Sequence, residues 1–303
     1  MNLRTKIILV AGPTASGKST FALKIAKKIK GEIINADSMQ VYSDLKILTA
    51  RPKKEDQKKI KHHLYGFQKS SKKFSTGDWL QLASKKIQQI KKKNKIPILV
   101  GGTGLYFKSL TDGLVKIPKI SIKKRNSVRS LQKKLGQKKF YKKLIEIDPS
   151  VKNLVNEHDI QRSIRAFEIK KYTKKSISQW FKDTKALFAN DVFIKLYLDF
   201  PRTELLNRIE KRTKQMFKEG AIQEVVKFNR LKIKKENSAN KVIGINEINR
   251  YLNGELSLKE TKEIIFIKTR QYAKRQTTWA RGQMKSWLKV NPKDLNLLIK
   301  KFK

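Results

Sequence analysis

The chain has 303 residues, 39% of them hydrophobic, which is enough to bury a full core; disorder is not expected, and no apolar run is long enough to span a bilayer. It has no cysteine, which excludes disulfides and thiolate metal sites and suits a reducing cytoplasm. Seventy-two Lys and Arg against 25 Asp and Glu give a formal charge of +47 spread through the chain, so a polyanionic partner is expected, with plain lysine decoration of solvated faces as the competing explanation.

In chain order, Lys6-Ile7-Ile8-Leu9-Val10-Ala11 reads as a buried strand that leaves no room for a signal-peptide core. Directly after it comes Gly12-Pro13-Thr14-Ala15-Ser16-Gly17-Lys18-Ser19, the spacing G-x-x-x-x-G-K-S. Two glycines let backbone N–H groups turn inward around an anion, while lysine supplies a cation and serine a metal-binding hydroxyl. Phe21, Ile25 and Ile29, with Ala22 and Ala26 beside them, predict an amphipathic helix whose N-terminus favours bound negative charge. The context predicts a phosphate or diphosphate site.

Glu32-Ile33-Ile34-Asn35-Ala36 is the second predicted strand, and Asp37 closes it facing the phosphate loop. A carboxylate there can hold magnesium through water, act as a general base, or merely cap a turn. His62-His63 lacks a third ligand at helical spacing and reads as structural. Ser75 to Asp78 caps a predicted helix through Trp79, Leu80, Leu82, Ala83, Ile87 and Ile90. The third strand, Ile96 to Val100, ends in Gly101-Gly102-Thr103-Gly104 where an ordinary P-loop hydrolase carries an acid. Those glycines either admit a large group close to the backbone or form a turn. Trp79, Trp180, Trp279 and Trp287 can stack bases but sit among helically spaced apolar residues, which favours packing roles.

From about Ile117-Pro118 to Asn190 the pattern is helical and lysine-rich; a strand from Val192 to Leu198 follows, then a helix begun by Pro201 and ended at Gly220. The expected fold is α/β: a P-loop NTPase-like parallel-sheet core, residues 1–117 and 191–303, with an inserted all-helical module at 118–190.

From end to end the sequence resembles the tRNA dimethylallyltransferase (tRNA isopentenyltransferase, IPP transferase) family in its short bacterial form. The resemblance rests on Gly12 to Ser19, Asp37-Ser38-Met39-Gln40-Val41-Tyr42, Thr49-Ala50-Arg51-Pro52, His62-His63-Leu64, Val100 to Tyr106, Asp159-Ile160-Gln161-Arg162-Ser163-Ile164-Arg165-Ala166 and Thr269-Arg270-Gln271-Tyr272-Ala273-Lys274-Arg275-Gln276. It implies that the loop grips dimethylallyl diphosphate, and that the dimethylallyl group moves to N6 of the adenosine 3′-adjacent to the anticodon, giving N6-dimethylallyladenosine and diphosphate. It further implies Asp37 as base, Thr14 at the reaction centre, and Gly12, Pro13, Thr14, Ala15, Ser16, Gly17, Lys18, Ser19 and Arg212 around the diphosphate, with Mg2+ held partly by Ser19. Contacts to the tRNA anticodon stem-loop are implied for Asp37, Ser38, Met39, Gln40, Thr103, Arg125, Gln161, Arg162, Ser163, Ile164 and Arg165, the inserted module serving as a tRNA-binding domain. Neither a membrane nor an obligate protein partner is expected. Leu48 stands where the family usually has glycine, and Ile243-Gly244-Ile245-Asn246-Glu247 lacks an aromatic residue common after its glycine, so packing there is expected to differ. A small-molecule kinase on the same core, and a non-catalytic basic RNA-binding protein, are the competing functions.

Overall fold

The structure is a computed structural model and describes residues 3–302. In chain order the elements are β1 (Ile7–Ala11), α1 (Lys18–Lys28), β2 (Glu32–Asn35), α2 (Lys54–Lys59), β3 (His62–His63), α3 (Thr76–Lys91), β4 (Pro97–Gly101) and α4 (Gly104–Thr111). Next come α5 (Ile122–Ile147), α6 (Ile160–Thr173) and α7 (Ile177–Lys182). The chain then continues through β5 (Phe193–Leu198), α8 (Arg202–Lys218), α9 (Ala221–Asn229), α10 (Ile245–Leu252), α11 (Leu258–Gln283), β6 (Leu288–Val290) and α12 (Leu295–Lys301).

The six strands form one parallel sheet in the order β3-β2-β4-β1-β5-β6. Both faces are covered, which is why the central strands are apolar without a break. Ile8, Val10, Ile98 and Val100 turn one way, onto Phe21, Ala22, Ile25 and Ala26 of α1 and onto the C-terminal segment through Phe302. Strand alternation sends the equally buried Ile7, Leu9 and Leu99 to the other face. Ser75 caps α3 reciprocally with Asp78, and α3 buries Trp79, Ala83 and Ile87.

The strands β3 and β6 leave no periodic signal in the sequence. Each is two or three residues at a sheet edge, too short to show a period. His62 and His63 lie in β3, where His63 Nε2 pairs with buried Glu32 at 2.7 Å, a structural role consistent with the absence of a third ligand.

The chain divides into two compact units: one built from the chain up to Thr111 and from Phe188 onward, the other from Asp112–Leu187. The second unit is helical, its core formed by Val128, Phe140, Leu144, Val151, Ile164 and Phe167. Its long helix α5 bends at Gly136, whose φ of 69° interrupts the helix.

Candidate active site

The site forms at the carboxyl ends of β1, β2 and β4, where an open parallel sheet places its ligands. The segment Gly12–Gly17 wraps the N-terminus of α1. Gly17 has φ 81°, Ala15 also lies in the left-handed region, and no side chain caps the helix, so its first N–H groups stay open to an anion. The buried Ser16 Oγ has no hydrogen-bond partner, a polar atom left for a ligand in the middle of the loop. A Cβ at Gly12 would lie 2.8 Å from that oxygen.

Thr14 is held from two sides. Its N–H donates to Gln276 Oε1 at 2.8 Å, and its Oγ1 accepts from Arg212 Nη1 at 2.8 Å. Gln276 Nε2 in turn donates to the Gly102 carbonyl at 2.9 Å, so one side chain on α11 ties the phosphate loop to the end of β4. Lys18 Nζ donates to the Pro13 carbonyl at 3.1 Å. Burial pushes Lys18 down to about 8, with Arg212 adding to the fall and Asp37 opposing it. Burial also lowers Arg212, again opposed by Asp37. The loop and clamp therefore hold two cations in a confined space with one carboxylate against them.

Of the three readings the sequence offers for Asp37, the turn cap is present in the structure. Its Oδ1 accepts the Met39 N–H at 2.9 Å, which is a turn cap, while its other oxygen makes no hydrogen bond among the described residues. The turn is fixed from below: Asn35 Oδ1 accepts the Asp37 N–H, and Asn35 Nδ2 donates to the Asp37 and Leu64 carbonyls. A capped but half-free carboxylate is oriented and still available. Burial and the nearby Asp37 charge raise the hydroxyls of Tyr65, Tyr106 and Tyr272, which stay protonated around it.

A cavity of about 260 Å³ brings together Thr14, Asp37, Met39, Arg212, Thr269 and Tyr272, with Leu48, Met216, Val242 and Ile243 as an apolar wall. A second, more apolar cavity of about 310 Å³ is lined by Gly12, Ser38, Met39, Thr103, Tyr272, Arg275, Gln276 and Trp279. Met39, Tyr272 and Arg275 line both. Trp279 is thus a cavity wall, whereas Trp79 is core, stacked on Tyr106 with Nε1 donating to the Asn35 carbonyl. Trp287 is buried against Phe107, and Trp180 lies in the helical unit with Lys175 over its ring.

The glycines after β4 serve the protein's own packing. A Cβ at Gly101 would lie 1.9 Å from the Ala36 carbonyl oxygen, at Gly102 2.2 Å from Gln276 Nε2, and at Gly104 2.2 Å from the Trp279 ring. Backbone, glutamine and indole therefore stand where side chains at these positions would go, and Gly102 and Gly104 also line the second cavity, so the turn and the space beside it are built by the same glycines. Thr103 Oγ1 accepts the Ser38 N–H at 2.9 Å and donates to Ser38 Oγ at 3.2 Å, and Gln40 Nε2 donates to the Thr49 and Ala50 carbonyls, so these side chains brace the Asp37 turn. Leu48 is buried and presses on Gly244, where φ is 110° and a Cβ would lie 2.6 Å from Leu48 Cδ2. The two departures from the family pattern meet here in space.

In the helical unit, the first turns of α6 present Gln161 and Arg162 outward, whereas the helical period turns Ser163 and Ile164 into the unit's core. Arg165 and Arg125 are half-exposed and both approach Glu168. The role of Gln276 is not visible in its sequence block, because a polar residue on a helix carries no sign of a partner 262 residues away.

The family model for IPP transferase matches residues 40–283. The tRNA dimethylallyltransferase of Pelagibacter ubique is 62% identical over 303 residues, covering 100% of this chain and 97% of that protein. The tRNA dimethylallyltransferase of Rickettsia massiliae is 43% identical over 279 residues, 92% of this chain and 77% of that one. Among solved structures, the tRNA isopentenylpyrophosphate transferase of Bacillus halodurans superposes with a TM-score of 0.70 at 29% identity, covering 98% and 95% of the two chains. A eukaryotic dimethylallyltransferase captured acting on tRNA superposes with a TM-score of 0.83 at 29% identity, covering 96% of this chain and 75% of that one.

Proposed function

The chain belongs to the IPP transferase family, and on that premise we propose that its phosphate loop binds dimethylallyl diphosphate and that Asp37 activates the N6 amine of the adenosine 3′-adjacent to the anticodon. The activity is that of a tRNA dimethylallyltransferase, an enzyme that prenylates adenosine in tRNA. The observation that carries the assignment of roles is the single cavity holding Thr14, Asp37 and Arg212 together.

In the transfer, the allylic C–O bond of the donor breaks, a C–N bond forms to N6, the N6 proton passes to the free oxygen of Asp37, and diphosphate leaves. The amine is a poor nucleophile because its lone pair is delocalised into the purine, so removal of its proton during attack lowers the barrier. Charge gathers on the departing diphosphate, where the open N–H groups of α1, Lys18 and Arg212 converge. Arg212 also fixes the Thr14 hydroxyl toward the same point. Among the described residues no group of three or more His, Asp or Glu is placed to hold a metal, and Ser19 is exposed at the start of α1. The exposed Ser19 hydroxyl, an oxygen ligand of the kind Mg2+ takes, would be the protein's contact to a Mg2+ ion, which would neutralise leaving-group charge when bound.

The adenine has to leave its stack to reach the cavity, and the apolar second cavity beside Met39, Tyr272 and Trp279 offers it aromatic surface. Gln161, Arg162, Arg165 and Arg125 are proposed to contact the anticodon stem-loop. No helix among the described residues is long and apolar enough to cross a membrane, and a cytoplasmic location beside the tRNA pool is part of the proposal. Incubating the protein with dimethylallyl diphosphate, Mg2+ and an anticodon stem-loop, then weighing the RNA, tests it. A gain of one dimethylallyl group on the target adenosine is expected; ATP turnover with unmodified RNA would point to the kinase instead.

A further inference from the structure

Buried acids are few in this basic chain, and most have an evident local task. Glu32 pairs with His63 and Lys95, Glu247 accepts the Gly244 N–H and pairs with Lys268, and Asp148 accepts from Ser150 in a turn. Glu168 differs. It lies on α6 with its side chain 1% exposed, and its Oε2 sits 3.2 Å from Arg165 Nη1 on the same helix and 3.5 Å from Arg125 Nε in the first turn of α5. Its Oε1, like Asp148 Oδ2, has no hydrogen-bond partner; what sets Glu168 apart is its pair of arginines. The two arginine side chains remain 40% and 38% exposed. One carboxylate sunk in the helical unit therefore faces two cations that look outward.

A guanidinium has five N–H donors; Glu168 takes one hydrogen bond from Arg165 and holds Arg125 by charge at 3.5 Å, with Arg125 Nε making no hydrogen bond, so the outward donors of both are left for acceptors outside. Arginine is also the cation best shaped for phosphate oxygens. Unheld, two neighbouring guanidiniums repel each other, and each gives up rotamer freedom when it engages a phosphate; held by Glu168, that loss is taken on folding. We infer that Glu168 is a positioning residue that presets Arg125 and Arg165 as a paired clamp for an RNA phosphodiester. The inference rests on the proposed function, in which this unit contacts the anticodon stem-loop.

The sign of the effect separates positioning from bulk charge. Glu168 carries a negative charge, so by attraction alone Glu168→Gln strengthens RNA binding; if Glu168 positions the arginines, the same change weakens it. The test measures stem-loop binding directly and prenyl transfer in the steady state for Glu168→Gln in the full chain. The expected result is a rise of about tenfold in the Kd and KM for the stem-loop, the scale of one lost charge-assisted contact, with kcat at saturating RNA and KM for dimethylallyl diphosphate unchanged. In an Arg125→Gln/Arg165→Gln background the substitution at 168 has no further effect. Should Glu168→Gln fail to fold, Glu168→Asp keeps the charge one methylene short of both arginines and is expected to fold and bind with intermediate affinity. Unchanged or tighter binding by the folded variants overturns the inference. Wild-type protein that binds the stem-loop but transfers no prenyl group counts against the proposed function and leaves the binding comparison decisive for Glu168.

Discussion

At the scale of single residues, the site is governed by how few counter-charges surround its cations. Lys18 is held down to about 8 by burial before any ligand arrives, so the free protein loses that charge as the pH rises through about 8. A diphosphate needs the charged form, so KM for dimethylallyl diphosphate is expected to climb above that pH, approaching tenfold per unit. Lys18→Arg, which cannot be neutralised in this range, should flatten the climb; initial rates between neutrality and mildly alkaline pH check both. Stability runs the opposite way. With a folded value near 8 and an unfolded one near 10.5, the unfolded chain binds more protons between them, so this residue makes folding more favourable as pH rises across that window. The lysine and its loop were legible because glycine spacing directly encodes backbone conformation. The half-free carboxylate of Asp37 was not, since the Asn35 and Met39 bonds that orient it appear only once the turn is built.

At the scale of elements, α11 acts as a brace. Gln276 satisfies the Thr14 N–H and reaches the Gly102 carbonyl, so Gln276→Leu leaves both groups to water or unpaired, at a cost of about 1–3 kcal/mol for a buried donor. The expected result is a loss of transfer rate of about tenfold or more with a lower melting temperature, read from single-turnover kinetics and thermal unfolding. Gly244→Ala tests a second contact between elements, where α10 begins against Leu48. A left-handed backbone costs a side chain about 1–2 kcal/mol, and for a chain of this size each kcal/mol lowers the melting temperature by about 2–4 °C. Leu48→Ala introduced into Gly244→Ala should recover part of the steric loss, because the Cβ would strike the leucine; calorimetry of the single and double variants checks this. The long strands and the capped helix α3 were legible from period and caps. The edge strands β3 and β6 and the roles of the β4 glycines were not, because each is defined by a neighbour far away in sequence.

At the scale of the whole molecule, a formal +47 makes RNA binding a salt-dependent property and donor binding much less so. Between about 50 and 200 mM salt, KM for tRNA is expected to rise by orders of magnitude if about six or more phosphates are contacted, while KM for dimethylallyl diphosphate changes only modestly. A shallow slope for tRNA would show that the charge is surface decoration. The helical insertion was visible as a change of pattern, and the compact unit at Asp112–Leu187 begins and ends a few residues before the limits of 118 and 190 suggested by composition. The first edge does carry a turn signal, Asp112-Gly113 with Gly113 at φ 92°, a few residues ahead of the Ile117-Pro118 pair at which the composition changes.

In the proposed reaction one carboxylate activates the amine while the phosphate loop restrains the leaving group. Asp37→Asn keeps the oxygen that caps Met39 and removes the base, so it separates proton removal from the shape of the turn. In a single-turnover experiment with stem-loop and dimethylallyl diphosphate both prebound, the expected result is a fall of about 10²- to 10⁴-fold in the transfer rate with both affinities nearly unchanged. Transfer at the wild-type rate in that loaded complex would contradict it.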